Sequence, residues 1–169
     1  MSTKPCVVIK DACILFDLID LDLLETFYLL EVTPVTTGFV VSEVLDETQA
    51  KLLAEGIKAG KLTVYNDGDV TKIIALSVEH VGLSFADCSV LELSFRVPGL
   101  ILSADKSLRN EAKRRGLVVK GLLWVINQLF ENGILSKEES LAKLEQYPLI
   151  NPRTPKKDIQ LLKDKINGL

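Results

Sequence analysis

The sequence predicts an α/β fold with a central parallel sheet. Short, continuously apolar runs such as Cys6–Ile9 and Leu100–Leu102 suit strands buried on both faces. Longer stretches place apolar residues at helical spacing, as Val70, Ile73, Ile74 and Val78 do. The two kinds alternate along the chain, the pattern of strands joined by crossover helices.

Cys6-Val7-Val8-Ile9 is the first strand, and Asp11 follows it at once. A helical pattern then runs from Ile14 to about Leu30. A second strand falls at Val32–Thr36, with Pro34 counting against it because proline donates no ladder hydrogen bond. Phe39–Leu45 reads as helix, and a further helix runs to about Ala59, with Gly60 in the position of a C-cap. Leu62–Tyr65 is a small strand. Asp69–Glu79 is an amphipathic helix, and Ser84 opens another that Pro98-Gly99 ends. Leu100–Leu102 is a strand, Asp105 begins a helix that Gly116 closes, Leu117–Val119 is a strand, and Gly121–Glu131 is a helix.

The tail changes character. Ser136-x-x-Glu139 is a capping box, and Thr154-Pro155 reads as an N-cap followed by proline in the first helical position. These signals predict two terminal helices. The expected organisation is a domain over residues 1–133 and a helical appendage, 134–169, packed on it.

Composition sets limits on partners and compartment. The chain has 169 residues, 47% of them apolar, enough for one substantial core. Its net charge of -3 excludes a protein that coats nucleic acid electrostatically, so any such contact must be local or metal-mediated. Cys6, Cys13 and Cys88 lie far apart with no C-x-x-C pair, which argues against zinc and for reduced thiols in a cytoplasmic protein. No signal peptide and no apolar run of about 18 residues is present, so no membrane span is expected.

Four acids stand apart. Asp11 follows the first strand directly and Asp105 follows Leu100–Leu102 with only Ser103 and Ala104 between, and ligands of parallel sheets bind beyond the carboxyl ends of strands. Glu43 shares a helical face with Phe39 and Val40, and Asp87 shares one with Val90, Leu91 and Ser94. Carboxylates on apolar faces should be buried, and buried charge needs a partner or a metal ion. Each also has a purely structural reading. Asp11 and Asp105 suit helix N-caps, Asp87 completes a Ser84-x-x-Asp87 capping box, and Glu43 could be solvated. Asp17, Asp20, Asp22 and Glu25 read as a solvated face and loop.

His80, the only histidine, reads as a surface residue in a loop after a helix; no G-x-S-x-G elbow, P-loop or G-x-G-x-x-G accompanies it. Lys106, Arg109 and Lys113 recur at i, i+3, i+7 on the helix that Asp105 begins. They form either a solvated face or a surface that steers phosphates toward the acids.

Taken in order, Ile9-Lys10-Asp11-Ala12-Cys13-Ile14-Leu15, Ser42-Glu43-Val44-Leu45, Leu83-Ser84-Phe85-Ala86-Asp87 and Leu102-Ser103-Ala104-Asp105 resemble the motifs of PIN-domain nucleases. The spacing of the acids is similar to that of the small prokaryotic branch that includes VapC-type toxins. The segment from Asp105 through Gly116-Leu117-Val118-Val119-Lys120-Gly121 resembles the end of that domain. The resemblance covers about residues 5–133 and implies a three-layer PIN-like fold. It also implies an endoribonuclease dependent on Mg²⁺ or Mn²⁺. Asp11, Glu43, Asp87 and Asp105 occupy the positions of its metal-binding, catalytic acids, and Ser103 matches a supporting hydroxyl. Homodimers, and inhibition of toxins by an antitoxin protein, are implied as well. The longer C-terminal helices are similar to an uncharacterised PIN-like subgroup, while Ala12-Cys13 and Ala104 stand where polar residues are frequent. The alternative is a non-catalytic binding or regulatory module on the same fold. A phosphoryl-accepting receiver domain is disfavoured because Asp11 lacks an adjacent acid.

Overall fold

Five strands pair side by side, every pair parallel, in a computed structural model that describes residues 4–169. They are β1 (Cys6–Ile9), β2 (Thr33–Thr37), β3 (Thr63–Tyr65), β4 (Gly99–Leu102) and β5 (Val119–Lys120), in the order β3-β2-β1-β4-β5. The order steps away from β1 in both directions, so it reverses at the β1–β4 pair. Such a switch point opens a crevice at the carboxyl ends of the two strands. Cys6 lies opposite Gly99 and Ile9 opposite Leu102, so both strands stop at the same level of the sheet. Gly99 has φ +144°, and a Cβ there would collide with the Cys6 carbonyl oxygen, which explains glycine at this close approach.

Among the described residues ten helices complete the chain. They are α1 (Ala12–Asp20), α2 (Leu24–Phe27), α3 (Gly38–Glu43), α4 (Glu47–Lys58), α5 (Val70–Glu79), α6 (Phe85–Arg96), α7 (Lys106–Arg114), α8 (Leu122–Glu131), α9 (Lys137–Ile150) and α10 (Lys156–Ile166). None is long and apolar enough to cross a membrane. The α/β architecture with an all-parallel sheet is the one the alternating pattern predicts.

The chain divides into two compact units. One holds the chain up to Ala12 and Glu31–Lys120, and the other Cys13–Leu30 and Gly121–Leu169. In the first, α6 packs against β1, β2 and β4, with α3 and α5 against α6 and α7 against β5. Ala86 through Leu93 of α6 are all buried, so the helix is enclosed on every side. Ser89 Oγ meets Thr37 Oγ1 at 2.7 Å, and Glu92 accepts from Arg96 at 2.7 Å. The core beneath comprises Val8, Val35, Ile101 and Val119 of the strands with Ile73, Val90, Leu91 and Leu108 of the helices. In the second unit α8, α9 and α10 pack on one another and α2 on α8.

Several boundaries differ from expectation. The helix expected from Ile14 to Leu30 is broken after Asp20. Leu23 N–H donates to Leu18 O at 2.6 Å and Asp22 N–H to Ile19 O at 2.8 Å, a Schellman ending with Asp22 at φ +56°. Aspartate tolerates that left-handed conformation better than most residues, so no glycine marks the stop. Asp20, Asp22 and Glu25 are exposed as expected, but Asp17 is half-buried and accepts from Asn151 Nδ2 at 3.3 Å. Burial raises the Asp17 pKa, with the Asn151 bond opposing it.

Pro34 sits inside β2 without breaking the sheet, because β3 starts opposite Val35 and no ladder reaches Pro34 on that side. The strand expected at Leu117–Val119 is instead Val119–Lys120; Leu117 N–H bonds to Ala112 O and closes α7. Thr154 does not cap α10. Pro155 holds the N-cap position, and the buried Thr154 hydroxyl has no hydrogen-bond partner among the described residues.

Candidate functional site

Asp11 lies two residues beyond β1, and Ser103 one residue beyond β4, so the register delivers both to the β1–β4 switch point. Ser103 is fully buried. Its Oγ donates to Asp11 Oδ2 at 2.9 Å and accepts from the Asp105 N–H at 3.1 Å. One hydroxyl thereby fixes one acid by its side chain and another by its backbone. Asp105 is the N-cap of α7, its Oδ1 accepting from Leu108 N–H at 2.8 Å, while the residue remains exposed.

Asp87 arrives from the first turn of α6. Its Oδ2 accepts from Ser84 N–H at 2.9 Å, and Ser84 Oγ accepts from Asp87 N–H at 3.0 Å, the reciprocal capping box expected from the sequence. The same residue is only 5% exposed, as its apolar neighbours require. Asp87 Oδ1 is buried with no aligned hydrogen bond among the described residues. The Lys10 ammonium lies 3.3 Å from it, an ion pair whose alignment falls short of a well-formed hydrogen bond.

Lys10 is the residue that reading the sequence missed. Its backbone N–H bonds to Leu102 O at 3.3 Å and carries the β1–β4 pairing one residue further. Its Nζ lies 2.9 Å from Asp11 Oδ1 and 3.3 Å from Asp87 Oδ1, with the side chain 14% exposed. Burial pulls the ammonium pKa down, but the hydrogen bond and charge of Asp11, joined by the charge and a lesser polar contact of Asp87, outweigh it and hold the pKa up. The available signal was its place between Ile9 and Asp11, a charge at the end of a buried strand. One ammonium faces two carboxylates, so a formal negative charge is left over at this point.

Glu43 departs from expectation. It is the last residue of α3 and follows the buried Val40 by three residues, yet it is exposed. No hydrogen bond or ion pair among the described residues joins it to the other three acids. The helix itself does pack at the site: Phe39 meets Phe85 of α6 edge-on, with ring centroids 4.9 Å apart. Asp11, Asp87, Ser103 and Asp105 are therefore linked, and Glu43 is not. Among the described residues no three acidic, histidine or cysteine side chains form a ready metal-ligand group. The donors present, carboxylate and hydroxyl oxygens, are those a hard divalent cation takes. The unbonded Asp87 Oδ1 and the ammonium beside it mark a position that attracts positive charge.

The basic face of α7 is only partly free. Lys106 and Lys113 are exposed, but Arg109 donates from its guanidinium to the Ser103 carbonyl at 2.8 Å. Arg114 and Arg115 bind the buried Glu111 at 2.7 and 2.6 Å. His80 is no free surface residue either. It caps α5, and its Nε2 stands 3.0 Å from Glu111 Oε1. A cavity of about 240 Å³ between α5 and α6, lined by Lys72, Glu79, Glu92, Phe95 and Arg96, includes none of the four acids. The three cysteines form no disulfide.

Residues 7–151 match a family model described as a PIN domain. No curated protein matches the chain.

Proposed function

This chain belongs to the PIN-domain family, a nuclease family, and from that premise we propose that it is a divalent-metal-dependent endoribonuclease. In this reading Asp11, Glu43, Asp87 and Asp105 hold Mg²⁺ or Mn²⁺ and carry catalysis. A bound ion of this kind supplies positive charge against phosphodiester oxygens and makes water a stronger nucleophile. The carboxylates would orient the attacking water and take up its proton as its oxygen bonds to phosphorus, while the bond to the ribose oxygen breaks and that oxygen leaves with a proton from solvent. Ser103 fixes Asp11 and the start of α7. Lys106 and Lys113 draw the RNA backbone in, and Arg109 braces the turn between β4 and α7. Residues 1–133 would carry this chemistry and 134–169 would be accessory.

What supports the reading most is the linkage of Asp11, Asp87 and Asp105 through Lys10 and Ser103 at the sheet's switch point. Within it, the chain works in the cytoplasm as a homodimer. As a toxin it would be restrained by an antitoxin protein. The test is cleavage of a mixed RNA pool by pure protein with Mg²⁺ or Mn²⁺, against Asp87→Asn. Cleavage that needs the metal and Asp87 is expected; equal cleavage by both proteins, or none by either, overturns the assignment.

A non-catalytic RNA- or protein-binding module is the second reading, and the Lys10 ammonium between Asp11 and Asp87 favours it, since it already balances part of the acidic charge. Calorimetry separates the two. Binding of Mn²⁺ at millimolar concentrations or below counts for the nuclease, and no heat of binding counts for the module.

A further inference from the structure

We propose that Lys10 is a tethered occupant of the cation position between Asp11 and Asp87, and that a divalent ion enters only as the Lys10 ammonium withdraws. The proposal rests on the metal-dependent reading above and adds the residue that sets metal affinity.

Three observations carry it. First, the ammonium contacts one oxygen of each acid, Asp11 Oδ1 at 2.9 Å and Asp87 Oδ1 at 3.3 Å. The other oxygen of each is committed elsewhere: Asp11 Oδ2 to Ser103 Oγ and Asp87 Oδ2 to Ser84 N–H. The oxygen of each acid that carries no other hydrogen bond is thus the one that Lys10 takes. Second, Asp87 is more than nine-tenths buried, yet Oδ1 has no hydrogen-bond donor aligned to it. A buried carboxylate oxygen satisfied only by a nearby charge is an acceptor for another cation. Third, lysine is a compact charge on a flexible stem, so its head can leave while its backbone stays in the ladder.

A divalent ion and an ammonium cannot share contact distance to both oxygens, because like charges at such range repel strongly. Lys10 therefore competes with the ion and weakens its binding. While no ion is present it also prevents two carboxylates from facing each other unpaired.

The test is Mn²⁺ titration of the full chain by calorimetry, paired with the Mn²⁺-induced rise in Tm. Wild type is compared with Lys10→Met, Lys10→Gln and the charge-keeping Lys10→Arg. Lys10→Met and Lys10→Gln should bind Mn²⁺ about ten-fold or more tightly than wild type, with larger Tm rises. Lys10→Arg should stay near wild type. If Lys10→Met folds poorly alone, Mn²⁺ should restore its folding transition, and Lys10→Gln gives the affinity. Equal affinities in wild type and the neutral variants, or weaker binding in those variants, overturn the proposal and leave the metal-dependent reading standing. No Mn²⁺ response in any variant overturns both.

Discussion

Ser103 Oγ donates to Asp11 Oδ2 at 2.9 Å across 92 residues of sequence, because β1 and β4 are neighbours that end at one level. The same oxygen accepts the Asp105 N–H. Ser103→Ala would take a partner from a part-buried N–H and from a part-buried carboxylate oxygen. We expect a loss of about 1–3 kcal/mol in stability, read by urea denaturation. RNA cleavage should fall about 10–100-fold, since the carboxylate it supports would lose its fixed orientation. Unchanged cleavage with the full stability loss would confine Ser103 to folding.

Replacing Asp87 by asparagine separates charge from capping. An asparagine oxygen can still accept the Ser84 N–H, so the start of α6 should persist and Tm should change little. Cleavage should drop at least about 100-fold, and the Mn²⁺-induced rise in Tm should disappear. Asp87→Ala should lose the cap as well, with a further cost of about 1 kcal/mol. Circular dichroism melts of the two variants, with and without Mn²⁺, distinguish these contributions.

Lys106 and Lys113 are exposed and bond to no acid among the described residues, whereas Arg109 is tied to the Ser103 carbonyl. A Lys106→Ala, Lys113→Ala double variant should weaken binding of single-stranded RNA and leave Tm unchanged. The slope of log affinity against log salt should shrink by roughly 0.7 for each phosphate that is no longer neutralised. Arg109→Ala should instead lower Tm with little change in that slope. A salt slope unaltered in the double variant would remove α7 from the RNA surface.

Glu111 is buried beneath Arg114, Arg115 and His80. Hydrogen bonding from Arg114, with Arg115 and the charge of His80 adding to it, outweighs burial and lowers its pKa from 4.5 to about 2. The folded value lies below the ordinary one, so its stabilisation is present above pH 4.5 and drains away as pH falls toward 2. Glu111→Gln should cost about 2–3 kcal/mol at neutral pH, less than a fully buried pair because Arg114 is largely solvated. Its urea midpoint should then depend less on pH between 4.5 and 2 than the wild-type midpoint does.

How much was legible follows from the range of each signal. Apolar runs marked β1 and β4 because strands buried on both faces leave no polar alternation. The capping boxes at Ser84 and Ser136 lie within four residues and could be read directly. The break at Asp22 was hidden because the Leu-rich pattern continues through it, and only backbone geometry reveals the turn. Three of the four acids could be placed because strand ends and an apolar helix face fix them. Glu43 could not, since whether a six-residue helix ends before or after it is a matter of one residue. Lys10 escaped because its second partner, Asp87, lies far along the chain on α6; the contact of a strand end with a distant helix depends on topology, which periodicity does not encode.

Asp87 and Asp105 each use one oxygen to hold the start of their own helix, α6 and α7. Folding alone is therefore sufficient reason for natural selection to keep both aspartates. A chain kept only for its fold would still carry them, and the first of the four acids free to drift would be Glu43, which holds no backbone group among the described residues.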